Sequence, residues 1–108
     1  MQNLSGEFEV IQGNTIEVLK TLQGRRFRAI ITSPPYFGHR HYGSNGFEIG
    51  RERSVEEYLD ALAGIFSACK GLLAEDGSLW IVIGDTRRRK EKLRVPHRLA
   101  EKLVQVGY

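Results

Sequence analysis

Phe27-Arg28-Ala29-Ile30-Ile31-Thr32-Ser33-Pro34-Pro35-Tyr36 is the stretch on which the reading of the chain turns. Ala29, Ile30 and Ile31 form a continuous apolar run closed by turn-forming residues. Such a run predicts a strand over residues 27–32, covered on both faces as in a parallel sheet. Residues 33–53 show no sustained periodicity and carry Gly38, Gly43, Gly46 and Gly50 besides the two prolines. They read as one long loop leaving the carboxyl end of that strand. Loops of this length without regular structure are uncommon unless they serve a function.

Working outward, residues 8–12 alternate with Phe8, Val10 and Ile11 apolar, which predicts a first strand. Asn14 is placed to cap a short helix, with Glu17 completing a capping-box spacing; Ile16, Leu19 and Leu22 form its stripe and Gly24 its stop. Downstream, Ser54 caps a second helix and Glu57 answers three residues on. Val55, Leu59, Leu62, Phe66, Cys69 and Leu73 give that helix one apolar face. Cys69 lies on this face, so it reads as a buried structural thiol. Glu75-Asp76-Gly77 marks a turn before an apolar strand over residues 78–83. Pro96 opens a third helix, with Val95, Leu99, Leu103 and Val106 on its buried side and Gly107 at its end. The order β-α-β-α-β-α predicts a parallel three-stranded α/β sheet with flanking helices. Ligands of such sheets bind beyond the carboxyl ends of the strands. The loops starting at Ser33 and Gly84 both leave from carboxyl ends and should share one edge.

The chain has 108 residues, a formal net charge of +3, 41% hydrophobic and 27% charged residues, and one cysteine. This is the composition of a soluble globular domain or part of one. A single cysteine excludes an intrachain disulfide and suits a reducing cytoplasm. The first residues lack the basic start and apolar core of a signal peptide, and no apolar run reaches membrane-spanning length. Arg87, Arg88, Arg89, Lys90, Lys92 and Arg94 cluster within eight residues. Such a run is either a solvated loop or a phosphate-contacting patch. His39 and His41 have no cysteine or acidic partner at ligand spacing, so no metal site is expected. Neither Gly-x-x-x-x-Gly-Lys nor Gly-x-Gly-x-x-Gly occurs, which argues against a nucleotide hydrolase or a dehydrogenase.

Two prolines stiffen the segment after Thr32 and hold their preceding residues extended. The Ser33 hydroxyl and the Pro34 carbonyl then form a rigid pair of acceptors. Such a pair could hold an exocyclic amine, cytosine N4 or adenine N6, with Tyr36 stacked on a base extruded from the helix. The bland alternatives are a simple proline turn and a tyrosine packed on its own loop.

The segment Ile31-Thr32-Ser33-Pro34-Pro35-Tyr36-Phe37-Gly38 is followed by Arg40, Tyr42-Gly43, Ile49-Gly50-Arg51-Glu52 and Glu56-Glu57-Tyr58-Leu59. Leu73, Asp76-Gly77-Ser78-Leu79-Trp80, Gly84-Asp85, Val95-Pro96-His97-Arg98-Leu99-Ala100 and Gly107-Tyr108 continue the series. From about Val10 onward the chain resembles the amino-group DNA methyltransferases of the permuted class, in which the catalytic motif precedes the cofactor motif. The resemblance implies a Rossmann-like fold and methyl transfer from S-adenosylmethionine to a flipped base, without a covalent base adduct. A serine in the first motif position is more like the cytosine-N4 enzymes than the adenine-N6 ones.

Ser33, Pro34, Pro35 and Tyr36 would be catalytic, with Asp85 either supporting the pocket or simply capping its loop. Asn14 and Thr32 would lie beside the cofactor, although relatives often carry Gly-Asp where this chain has Gly13-Asn14. His39, Arg40, His41, Arg87, Arg88, Arg89 and Lys90 would face double-stranded DNA. The family's Phe-x-Gly-x-Gly cofactor loop and its target-recognition region are missing from the sequence. Residues 1–108 therefore read as an N-terminal catalytic part, with a complementary C-terminal half as a possible partner and a restriction-modification setting. The rival reading is a non-catalytic nucleic-acid-binding or assembly fragment. A weaker third is methylation of RNA or a protein amide. The open sheet edge predicts poor solubility or self-association of the fragment alone.

Overall fold

A computed structural model of the chain describes residues 2–3, 8–38 and 49–108. The elements are β1 (Gln2–Asn3), β2 (Glu9–Val10), α1 (Thr15–Thr21), β3 (Phe27–Thr32), α2 (Val55–Lys70) and β4 (Leu73–Ile81). β5 (Arg87–Arg88), β6 (Glu91–Lys92) and α3 (Val95–Gln105) complete the order.

β3 and β4 run parallel, in register from Ala29↔Ser78 to Thr32↔Ile81. Parallel neighbours need a long crossover, and α2 lies between them in the chain. The predicted turn at Glu75-Asp76-Gly77 falls inside β4 rather than before it. Phe27 pairs with Leu73 and Ala29 with Ser78, so two steps on one strand face five on the other. The extra residues bulge outward, and the backbone closes tightly over Gly77. A Cβ there would lie 2.8 Å from the Phe27 carbonyl oxygen and 3.0 Å from that of Ala74.

α2 begins as its sequence predicts, with Ser54 Oγ accepting from the Glu57 N–H at 3.1 Å. Its inward face is Tyr58, Leu59, Leu62, Phe66 and Cys69. Leu73, assigned to this face from its spacing, instead opens β4. α3 packs against α2 with Val95, Leu99 and Leu103 buried. Phe37 from the long loop joins these side chains in one core, with Ile30, Leu79 and Ile81 of the sheet packed against it. Glu56 pairs with Arg98 and Lys102, and Asp60 with Lys102 at 2.7 Å, along the rim between the two helices. Burial holds the Cys69 thiol pKa above its usual range, consistent with a packing role.

Two expectations about the sheet are corrected. The first strand does not join it: Glu9–Val10 pairs antiparallel with Gln2–Asn3, so among the described residues the parallel sheet has two strands, not three. Phe8 and Val10 stay about half exposed, so nothing draws this segment against the β3–β4 pair. Nor is the sheet covered on both faces among the described residues. Alternation sends Ile30, Leu79 and Ile81 inward but leaves Ile31 74%, Trp80 61% and Val82 60% exposed. Among the described residues no helix is long and apolar enough to cross a membrane.

The two faces should respond differently to truncation. Leu62→Ala, in the core, is expected to lower unfolding free energy by about 2–5 kcal/mol through lost burial and a residual cavity. Ile31→Ala, on the open face, should shift it by under about 1 kcal/mol. Urea titrations followed by circular dichroism compare the two.

Candidate active site

The site lies where β3 and β4 end side by side. The Val82 N–H donates to the Thr32 carbonyl at 2.9 Å, which carries the parallel pairing to the last residue of β3. Ser33 and Gly84 therefore emerge from the same edge, as their positions in sequence predict.

Four contacts shape the Ser33-Pro34-Pro35-Tyr36 turn. The Tyr58 hydroxyl, on the first turns of α2, donates to the Pro35 carbonyl at 2.7 Å. The Thr86 hydroxyl donates to the Phe37 carbonyl at 2.9 Å from a buried position. The Gly38 N–H donates to the Gly50 carbonyl at 2.8 Å and ties the two ends of the long loop together. The Tyr36 ring lies on Gly84, where a Cβ would come within 2.8 Å of Cε2. Gly50 is equally constrained, with φ +101° and a virtual Cβ 2.9 Å from the Tyr36 carbonyl oxygen.

Phe37 is the anchor beneath this turn. It is 1% exposed, its ring centroid is 5.3 Å from that of Tyr58, and the Arg88 guanidinium sits 4.5 Å over its face. Burial raises the pKa of the Tyr58 phenol, and the charges of Glu52 and Tyr36 push it the same way. Tyr58 is therefore a permanent proton donor to the loop. Pro34 is buried while Ser33 faces solvent. Among the described residues no hydrogen bond engages the Ser33 side chain, whereas the carbonyls of Pro35 and Phe37 are both taken.

Asp85 occupies the predicted edge, but its carboxylate faces backbone. Oδ1 accepts from the Thr86 N–H at 2.8 Å and the Val95 N–H at 3.0 Å, and Oδ2 accepts from the Arg94 N–H at 3.1 Å. It thereby caps α3 from across the basic loop, since Arg94 at the cap position makes no side-chain cap bond. The Val95 N–H foremost, with those of Thr86 and Arg94 and the Lys92 charge, holds the carboxyl below its ordinary range despite partial desolvation.

Asn14 caps α1, accepting from the N–H groups of Ile16 at 3.1 Å and Glu17 at 3.4 Å. The capping box is only half closed, because Glu17 pairs with Lys20. Thr32 ends β3 half-buried. Arg87 and Arg88 form β5, and Arg89 and Lys90 the turn after it, all exposed. His39, Arg40 and His41 lie outside the described residues. Among the described residues no cluster of three potential metal ligands occurs.

Tyr58, Gly84 and Gly50 enter the sequence reading only as family-like or loop positions without a role in the site, and Thr86 does not enter it at all. Tyr58 sits three residues after Val55 and four before Leu62, so helical spacing places it on the apolar face. Thr86 carries no local signal.

The DNA methylase family matches residues 27–105 of the chain, a span that begins with β3 and ends with α3. The chain belongs to this family. Type II methyltransferase M.Cfr9I of Citrobacter freundii is 43% identical over 76 residues, 70% of this chain and 25% of that protein. M.MwoI of Methanothermobacter wolfeii is 33% identical over 104 residues, 93% of this chain and 15% of its own length. M.SmaI of Serratia marcescens is 38% identical over 78 residues, covering 72% and 26%. The chain thus spans a quarter or less of the first two. No solved structure matches.

Two substitutions test the frame of the site. Tyr58→Phe keeps the ring on Phe37 but strands the Pro35 carbonyl, and should cost about 1–3 kcal/mol in denaturant unfolding. Asp85→Asn should reshape the acid limb of the stability profile. The folded pKa of Asp85 lies below its unfolded value, so its contribution is full above the unfolded pKa and fades as pH falls through the folded one. In the asparagine variant that part of the slope between about pH 4 and lower values should be missing.

Proposed function

We propose that this methylase-family chain is the base-handling part of a larger Rossmann-like DNA methyltransferase domain. The reaction is methyl transfer from S-adenosylmethionine to the exocyclic amine of a flipped base in double-stranded DNA, cytosine N4 in preference to adenine N6. The observation that carries the reading is the seat of Tyr36. Its ring rests on Gly84 at the carboxyl edge of the sheet, with the carbonyls on either side held by Tyr58 and Thr86.

The chemistry follows from that arrangement. The Ser33 hydroxyl and Pro34 carbonyl accept the two hydrogens of the amine and favour positive charge on its nitrogen as the lone pair is used. Pro35 keeps the turn stiff, and Tyr36 stacks on the base. Neither proline nitrogen carries a hydrogen, so neither competes for those acceptors. Ser33 as the first residue supports the cytosine preference. Asp85 contributes by fixing the strand end and α3 rather than by touching the base.

S-adenosylmethionine supplies an electrophilic methyl group. The described residues do not fit the rest of it: Asp85 has its oxygens engaged by backbone, and the Asn14 oxygen is turned to α1. Thr32 is the cofactor contact that this segment contributes. The coverage of 15–26% of the relatives supports a complementary remainder that holds the cofactor. Their naming as Type II methyltransferases supports a restriction-modification setting. The exposed basic hairpin supports a second reading, a nucleic-acid-binding fragment without catalysis. Tight S-adenosylmethionine binding by these 108 residues in titration calorimetry would contradict the assignment of the cofactor site elsewhere.

Tyr36→Ala in the methyltransferase carrying this segment is expected to cut transfer of labelled methyl into duplex DNA about 10- to 100-fold, the loss of roughly 1–3 kcal/mol of stacking. Incorporation at the wild-type rate would overturn the role of the turn.

A further inference from the structure

Residues 86–93 form a hairpin finger whose base is packed and whose residues 87–92 are exposed. The Leu93 N–H donates to the Thr86 carbonyl at 2.8 Å and closes its base. Asp85 clasps both legs there, through the N–H groups of Thr86 on one side and of Arg94 and Val95 on the other. Above the clasp Arg87 pairs with Lys92 and Arg88 with Glu91. Arg89 and Lys90 alone form the tip, with φ of 52° and 68°.

A two-residue hairpin with both central residues left-handed follows the type I′ pattern, for which Asn-Gly is the favoured pair. Arginine and lysine adopt that backbone at a steric cost from their Cβ atoms. Burial does not offset the cost, because Arg89 and Lys90 are both exposed. Conformational strain at an exposed tip indicates that the side chains are kept there for what they contact. What they offer is positive charge: the finger carries five cations against Glu91 alone.

The finger is also joined to the catalytic turn. Thr86 at its base holds the Phe37 carbonyl, and the Arg88 guanidinium stacks on the Phe37 ring. The basic residues therefore have different work. Arg88 faces inward to Phe37, whereas Arg89 and Lys90 extend beyond it.

We infer that this hairpin is a duplex-docking finger: Arg89 and Lys90 take backbone phosphates of DNA next to the extruded base, and Arg88 fastens the finger to the catalytic turn. The inference rests on the DNA-methyltransferase reading above and assigns the finger a positioning role. A two-stranded ribbon fits the width of the major groove. Phosphate contacts of this kind set register without reading sequence.

The test uses a turn repair that removes the charge. Arg89→Asn combined with Lys90→Gly installs the favoured turn pair. Binding of the full chain to a fluorescein-labelled mixed-sequence DNA duplex is followed by anisotropy over a series of salt concentrations. Each phosphate contact contributes about 0.9 to the slope of log affinity against log salt, so the double variant should lose roughly two from that slope. Its melting temperature should hold or rise. Arg89→Lys with Lys90→Arg, which keeps both charges, should retain the wild-type slope. Arg88→Gln should leave the slope within one contact of wild type while lowering the melting temperature through the lost Phe37 stack.

An unchanged slope in the Asn-Gly variant overturns the finger and leaves the methyltransferase reading standing. So does a clear fall in its melting temperature, which would make the tip residues structural. A wild-type chain that binds no duplex at low salt also overturns the finger. Methyl transfer and its dependence on Tyr36 are judged by the separate incorporation assay, so the two readings fail independently.

Discussion

The hydrogen bond from Tyr58 to the Pro35 carbonyl is the contact on which the site depends. It joins the crossover helix to the proline turn across 23 residues of sequence, at a side chain with no exposed surface. The N–H three residues on, that of Gly38, which a β-turn would bring to this carbonyl, donates instead to the Gly50 carbonyl. Tyr58 supplies the donor from the packed face of α2 and at the same time places its ring against Phe37. The same side chain thus serves core and site. Its raised pKa means that no change of pH near neutrality releases the turn.

Around that bond the site is built by close approach rather than by charge. Gly84 and Gly50 let the backbone and the Tyr36 ring come nearer than a Cβ would permit. Thr86 holds the next carbonyl, and Phe37 closes the floor. The one acidic side chain at the end of β4, Asp85, satisfies three backbone N–H groups that would otherwise be orphaned at the start of α3 and the base of the hairpin. A carboxylate in that position steadies the geometry of both basic loop and helix.

Among the described residues the β3–β4 sheet is covered on one face only. α2 and α3 cover one face of β3 and β4, and the core is continuous there. The opposite face presents Ile31, Trp80 and Val82 to solvent, apolar residues whose β propensity suits a covered sheet. The antiparallel β1–β2 pair does not reach that sheet, so among the described residues the parallel pairing rests on two strands and the α2 crossover.

The sequence by itself determined the local elements: the capped start of α2 at Ser54, the capped start of α1 at Asn14, the apolar runs that became β3 and the end of β4, and the two loops at a common edge. Each is written in short-range patterns of spacing, caps and turn residues. It also showed that the backbone from Ser33 to Tyr36 is stiff, because proline stiffness is local. Only the tertiary structure decided that Tyr58 and Thr86, 23 and 49 residues from their acceptors, hold the turn. It alone showed that Asp85 caps α3, that the first strand stays out of the sheet, and that Arg88 turns to Phe37 while Arg89 and Lys90 extend into solvent. Periodicity shows which side of an element is apolar. Which partner meets that side is set by packing between segments far apart in the chain, where hydrogen-bond donors and ring faces find their places only once the core has closed.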